Sequence, residues 1–210
     1  MNEQFLRFNK SAKFATFDFE TECLNLYTAK PWQFACVVGT NNSIVRKHDL
    51  LIRWDDLNIS REAEQITRFD RLKWEAHAVE PKEAFELMNN EFEEADYIVG
   101  HNILGYDIPV YRSACRKLGI KPYPIEKKAF DTMACGKGIK LEIFYKPGQN
   151  FLSYQLQLAN FPVMKRGFAT LTAFAKLFDI PLEEGRLHDA LYDVTINYEV
   201  LKKMLWQIEI

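Results

Sequence analysis

Two carboxylates stand two residues apart in FATFDFETECL, residues 14–24. The stretch is rich in Phe, Ala and Thr and reads as a β-strand, so Asp18 and Glu20 project from the same side of it. Side by side, two ionised carboxylates repel and one pKa rises unless a cation intervenes. The pair is therefore either a solvated strand face or a set of metal ligands. Phe17 and Phe19, on the opposite side, mark the strand as core-forming. A second acid, Asp107, lies in GHNILGYDIPV, residues 100–110, where a short apolar strand gives way to a loop and a helix. There Asn102 can cap and Asp107 can face the helix dipole, or Asp107 can serve chemistry. A third cluster, LHDALYDV, residues 187–194, carries His188 and Asp193. On one ideal helix the two would diverge by about 140°. They converge only if His188 lies in the loop before the helix. Otherwise they are an N-terminal helix residue and a solvated acid.

These side chains need rigid elements to hold them. KFATFDFE, WQFACVVG and SIVRKHDLLI, at 13–20, 32–39 and 43–52, read as an antiparallel meander, with GTNN as the turn before the third. A helix with Ser60 as N-cap follows. EPKEAFELMNNEF then places Ala84, Leu87, Met88 and Phe92 at helical spacing. DYIVG, 96–100, is a short buried strand. GYDIPVYRSACRKLG is a helix closed by Gly119, and PIEKKAFDTM contains a strand running into Asp131. FATLTAFAKLFDI is an amphipathic helix stopping before Pro181. The last helix runs from about Asp189 to Trp206. Three strands in a meander followed by alternating helix and strand predict an α/β fold, a mixed sheet with helices on both faces.

The chain has 210 residues, 48% hydrophobic and 27% charged, with a formal net charge of −2. That length suits one domain, and the charge excludes a protein that coats nucleic acid with general basicity. No apolar run reaches the ~20 residues of a membrane span, and the N-terminus lacks an apolar signal core. The four cysteines, Cys23, Cys36, Cys115 and Cys135, form no CxxC pair. They read as reduced thiols of a cytoplasmic protein.

In order and context, FDFETECL, HNILGYD and HDALYD resemble the motifs of the DEDD superfamily of 3′–5′ exonucleases. This is the DnaQ-like branch of the ribonuclease H fold, and the third motif is that of its histidine subtype (DEDDh). The resemblance runs from about Lys13 to Leu205. It implies a five-stranded ribonuclease H-like sheet, three strands antiparallel and the others parallel, flanked by helices. The whole chain, 1–210, is then a single exonuclease domain. It also implies two Mg²⁺ or Mn²⁺ ions held by Asp18, Glu20, Asp107 and Asp193, with His188 as general base. Carboxylates are the hard oxygen donors such ions prefer. A neutral imidazole accepts protons near pH 7. The terminal nucleotide would lie against Glu20–Thr21 and Leu24, the latter packing on its base or else in the core, with Asn102 at the border. One residue departs from the family: Cys23 stands where D-x-E-T-x-G-L has Gly. Cys disfavours positive φ, so either the turn avoids that region or the pocket rim is shaped differently.

The segment 137–167 reads as an irregular basic and aromatic insertion. It holds Lys137, Lys140, Lys146, Lys165 and Arg166 among Phe144, Tyr145, Phe151, Tyr154 and Phe161. It is either a track for phosphates and bases, with Lys165 and Arg166 binding substrate, or a hairpin whose aromatics join the core. Asp131 reads as a helix cap, and His48, His77 and His101 as structural or surface residues. The expected partner is nucleic acid, DNA ahead of RNA, with no membrane. An exoribonuclease and a proofreading or adaptor subunit held by a partner, or a homodimer, remain as other readings.

Overall fold

The computed structural model describes residues 5–162 and 166–210. Its centre is a five-stranded sheet of order β3-β2-β1-β4-β5. β1 (Phe14–Thr21), β2 (Pro31–Gly39) and β3 (Ile44–Leu51) form the meander. β4 (Tyr97–Gly100) runs parallel to β1, and β5 (Ala129–Asp131) parallel to β4. This is the mixed ribonuclease H-like sheet.

β1 is central and buried on both faces, which its alternation explains. Phe17 and Phe19 pack with Phe34, Phe85 and Phe92 on one face. That face is covered by α3 (Pro81–Glu94) and α4 (Asp107–Leu118). α3 starts on Pro81, whose fixed φ suits a first helical turn, and buries Ala84, Phe85, Met88 and Phe92. α4 ends at Gly119, whose left-handed φ of 69° glycine adopts without the penalty of a Cβ. Asp18 and Glu20 point to the other face, with Ala35 and Gln33 as their cross-strand partners. There Ala35 and Val37 pack under Ala190, Val194 and Tyr198 of α8 (Ala190–Met204). The pairing of β1 with β2 shifts register between Glu20 and Thr21, an irregularity of the kind that redirects side chains at sheet edges.

Two short helices, α1 (Arg61–Thr67) and α2 (Arg71–His77), follow the meander. Ser60 caps α1 by accepting the Ala63 N–H at 3.2 Å, as expected. His77 is the last residue of α2. α5 (Thr132–Lys140) starts directly on Asp131, and α7 (Leu171–Leu177) is the helix expected before Pro181.

The segment 137–167 departs from the expectation of irregularity. It contains the end of α5 and a regular helix, α6 (Phe151–Ala159), capped by the Asn150 side chain at the Ser153 N–H. Its basic and aromatic residues are largely consumed in packing. Lys137 is buried and donates to the Ala159 carbonyl at 2.8 Å, and Lys140 donates to the Phe168 carbonyl at 2.6 Å. Tyr145, Phe151 and Tyr154 pack on one another. The glycines at 136 and 138 allow this close approach, because a Cβ there would collide with Phe174 and Tyr154.

Candidate active site

The carboxyl ends of β1, β4 and β5 open on one edge of the sheet, where open α/β sheets bind their ligands. Asp18 and Glu20 arrive on β1. Asp107 is the first residue of α4, is buried, and its Oδ1 accepts the Phe19 N–H at 3.1 Å. Asp193 stands in the first turn of α8, and its Oδ2 accepts the His188 N–H at 3.2 Å. His188 lies in the loop before α8 with a φ of 69°, and Asp189 caps the helix. The left-handed residue is what folds His188 back toward Asp193, resolving the divergence that a continuous helix would impose. The His188 side of this loop is exposed.

The four acids feel one another. Burial, then the charge of Asp193, pushes Asp18 up to about 7. Burial, then Asp18 and Asp193, pushes Glu20 up to about 8. Asp107 is raised well above the carboxylate range by burial and Asp18. Asp193 is raised by burial, with its bond to the His188 N–H and the charges of His188 and Arg68 opposing the rise. Among the described residues none of the four forms an ion pair with Lys, Arg or His. No three His, Cys, Asp or Glu side chains among the described residues stand in a ready-made ligand shell. Asp107 and Asp193 each commit one oxygen to a backbone N–H instead. The donor set itself, hard oxygens that repel one another and have no cationic partner, fits a divalent cation.

This makes a prediction about stability. In the unfolded chain these carboxylates ionise near pH 4, while in the fold Asp18 and Glu20 hold their protons to about 7 and 8. The folded state therefore binds more protons across that interval, and stability falls as pH rises through it. In EDTA the Tm is expected to drop by roughly 5–10 °C between about pH 5 and pH 8. Millimolar Mg²⁺ should restore more of it at pH 8 than at pH 5. Equal Mg²⁺ shifts at both pH values would argue against a carboxylate metal site.

Two hollows flank the acids. One, of about 190 Å³, is lined by Asp18, His101, Leu171, Asp193, Val194 and Asn197. The other is an open groove of about 680 Å³ along Phe19–Leu24, α1 and Tyr106. Leu24 is 85% exposed at its lip, so it is not a core contact. Thr21 is buried, and its hydroxyl bonds the Cys23 carbonyl at 2.9 Å and the Tyr106 hydroxyl at 2.5 Å. Cys23 is exposed and is not among the residues of positive φ, so the turn avoids the region that would require Gly. Asn102, with a φ of 68°, shapes the β4–α4 turn. Its N–H donates to Asp131 at 3.1 Å, and its carbonyl accepts from Gly105 and Tyr106. Asp131 is the expected cap, accepting from Asn102, Leu104, Met133 and Ala134. Arg166 is exposed, and Lys165 lies outside the described residues.

A family model for exonucleases (RNase_T) matches residues 16–201. The chain belongs to the exonuclease family. With the ribonuclease H-like sheet, this places it among the DEDD 3′–5′ exonucleases, whose members use divalent metal ions. The exonuclease resembles solved structures of E. coli exonuclease I. The complex of that protein with a dT13 oligonucleotide has a TM-score of 0.68 at 18% identity, over 91% of this chain and 40% of that one. The zinc-bound form of its complex with single-stranded DNA gives 0.68 and 19% over the same shares. A third structure of exonuclease I gives 0.70 and 18% over 92% and 40%. The chain thus spans about 40% of the length of these structures. No curated protein matches it in sequence. No helix among the described residues is long and apolar enough to cross a membrane.

Three residues of the site escaped the sequence reading. His101 is buried and driven down to about 4 by that burial, hence neutral, with Nε2 held by the Ala169 carbonyl at 2.9 Å. Asn197 lines the smaller hollow one helical turn after Asp193, and i, i+4 spacing on α8 was the available signal. Tyr106 precedes Asp107 directly and braces the Thr21–Cys23 turn. His48, by contrast, pairs with Glu91 of α3 at 2.9 Å.

Proposed function

We propose that this exonuclease removes nucleoside monophosphates one at a time from 3′ ends, with single-stranded DNA as its preferred substrate. The observation that supports the reading is the electrostatic coupling of Asp18 with Glu20, Asp107 and Asp193 at the carboxyl ends of the strands, with the backbone N–H of the exposed His188 bonded to Asp193. The four carboxylates would hold two Mg²⁺ or Mn²⁺ ions, which supply charge neutralisation on the phosphate and a more acidic water. His188 then accepts the proton of the attacking water, and Asp193 holds the His188 backbone in place. This is the histidine subtype of the superfamily.

The groove beside Glu20 has the volume to take a nucleoside. Thr21 and its neighbours form its wall, and Leu24, standing out at the lip, packs on the terminal base. Asn102 borders the site by fixing the turn that delivers Asp107. Arg166 and Lys165 contact the phosphates of the approaching strand. The complexes of exonuclease I with oligodeoxynucleotides support DNA as the partner. The match over 16–201 supports reading the chain as one exonuclease domain, and four free thiols support a reducing, cytoplasmic setting.

The test is digestion of 5′-labelled single-stranded DNA, duplex DNA and RNA of one sequence with Mg²⁺. A ladder shortened by single nucleotides, fastest for single-stranded DNA and abolished by EDTA, is the expected result. Internal cuts or loss of the 5′ label first would overturn the reading. A faster ladder on RNA would reassign the substrate.

A further inference from the structure

Among the described residues, the loop carrying His188 is held by Leu187, which packs against the core around Phe174 and Tyr192, and by one side-chain hydrogen bond from across the fold. Within 183–193 its hydrogen bonds are local. The Glu183 N–H donates to the Tyr192 hydroxyl at 2.6 Å, Arg186 N–H to the Glu183 carbonyl at 2.8 Å, Asp189 N–H to the Arg186 carbonyl at 3.1 Å and His188 N–H to Asp193 at 3.2 Å. The exception is Arg68, whose Nη1 donates to the Gly185 carbonyl at 3.0 Å from 117 residues away. Arg68 follows α1 directly and is left-handed, with a φ of 55°. That conformation is unfavourable for a non-glycine residue, and it turns the chain out of α1 toward the loop. Arg68, Gln33, Lys73, His188 and Asp189 line one groove. Thr67 lines both this groove and the proposed nucleotide groove, so the end of α1 stands between them.

We infer that Arg68 is a positioning residue: through Gly185 it holds the 185–189 loop against the end of α1 and so keeps His188 at the carboxylates. The inference rests on the proposed role of His188. Two left-handed residues, Arg68 and His188, line the same groove, and neither lies in a regular element that would fix its direction. The strand-borne acids have no such need, since the sheet holds them.

The test compares Arg68→Ala, Arg68→Asn and Arg68→Lys in the full chain. Asn tolerates the left-handed turn and so removes the anchor while leaving the turn intact. With a single-stranded oligonucleotide, kcat is expected to fall about 10- to 100-fold in the Ala and Asn variants, the loss a displaced catalytic group produces, with KM within about threefold of wild type. Arg68→Lys should recover most of kcat. Hydrogen exchange should quicken at the amides of Arg186, His188 and Asp189 and stay unchanged in β1. Wild-type kcat in both variants, a loss carried by KM, or unchanged exchange in the loop would overturn the inference. If the wild-type chain itself fails to shorten DNA, the proposed function fails, and the exchange data still decide whether Arg68 holds the loop.

Discussion

Asp18→Asn is expected to lower kcat by at least about 10³-fold, since a ligand carboxylate to a catalytic metal supplies several kcal/mol of transition-state stabilisation. The substitution keeps the shape of the side chain and removes its charge. It should therefore not unfold the protein. It should do the reverse in the absence of metal. Burial and the nearby charge of Asp193 push Asp18 up to about 7, so at pH 8 its ionised form is a burden to the fold. A neutral amide removes that burden, of the order of a few kcal/mol. The Tm of the variant in EDTA should exceed that of the wild type at pH 8 by several degrees, and the two should come together near pH 4. Mg²⁺ should stabilise the variant less than the wild type. Activity within tenfold of wild type would remove Asp18 from the metal site, and a Tm well below wild type would assign the lost activity to misfolding.

What was legible in the sequence follows from how each element is specified. β1, β2 and β4 are rich in apolar and aromatic residues, and their burial on both faces wrote itself as apolar runs in which the only charged residues are Asp18 and Glu20. The exceptions to a strong pattern are the residues proposed for the metal site, as expected where a local rule is violated for chemistry. α3 opens on Pro81, α4 closes on Gly119 and α8 is capped by Asp189, signals that agree with their structure, so Asp107 and Asp193 could be assigned to first helical turns. The segment 137–167 failed for the opposite reason. Composition counts lysines and aromatics but not their partners. Lys137 and Lys140 spend their charge on backbone carbonyls of neighbouring elements, bonds set by tertiary packing that no local pattern records. The same holds for Arg68, which reads as one more charge beside Phe69 until Gly185, far along the chain, is brought next to it. Leu24 shows the limit from the other side. Its type predicted core and nucleotide contact alike, and only its exposure separates the two.

Replacing His188 tests the proton transfer itself, and the choice of substituent matters. His188 holds a φ of 69°, a conformation in which His, Asn and Asp are enriched and Ala is not. His188→Ala would combine loss of the imidazole with strain in the loop, displacing the backbone N–H that Asp193 accepts at 3.2 Å. His188→Asn keeps the left-handed turn and that hydrogen bond, and removes only the base. For it, kcat is expected to fall about 10²–10⁴-fold, the range a positioned general base contributes, with KM close to wild type because the groove along Phe19–Leu24 is untouched. The residual rate should rise with hydroxide concentration, since water must then lose its proton to solvent. The metal-dependent stabilisation should be unchanged, because the four carboxylates remain. That separates His188 from Asp18, whose replacement removes both activity and metal response. A His188→Asn variant with wild-type kcat would exclude a base at this position. A variant that also loses its Mg²⁺-dependent rise in Tm would make His188 a contributor to the metal site and not the proton acceptor.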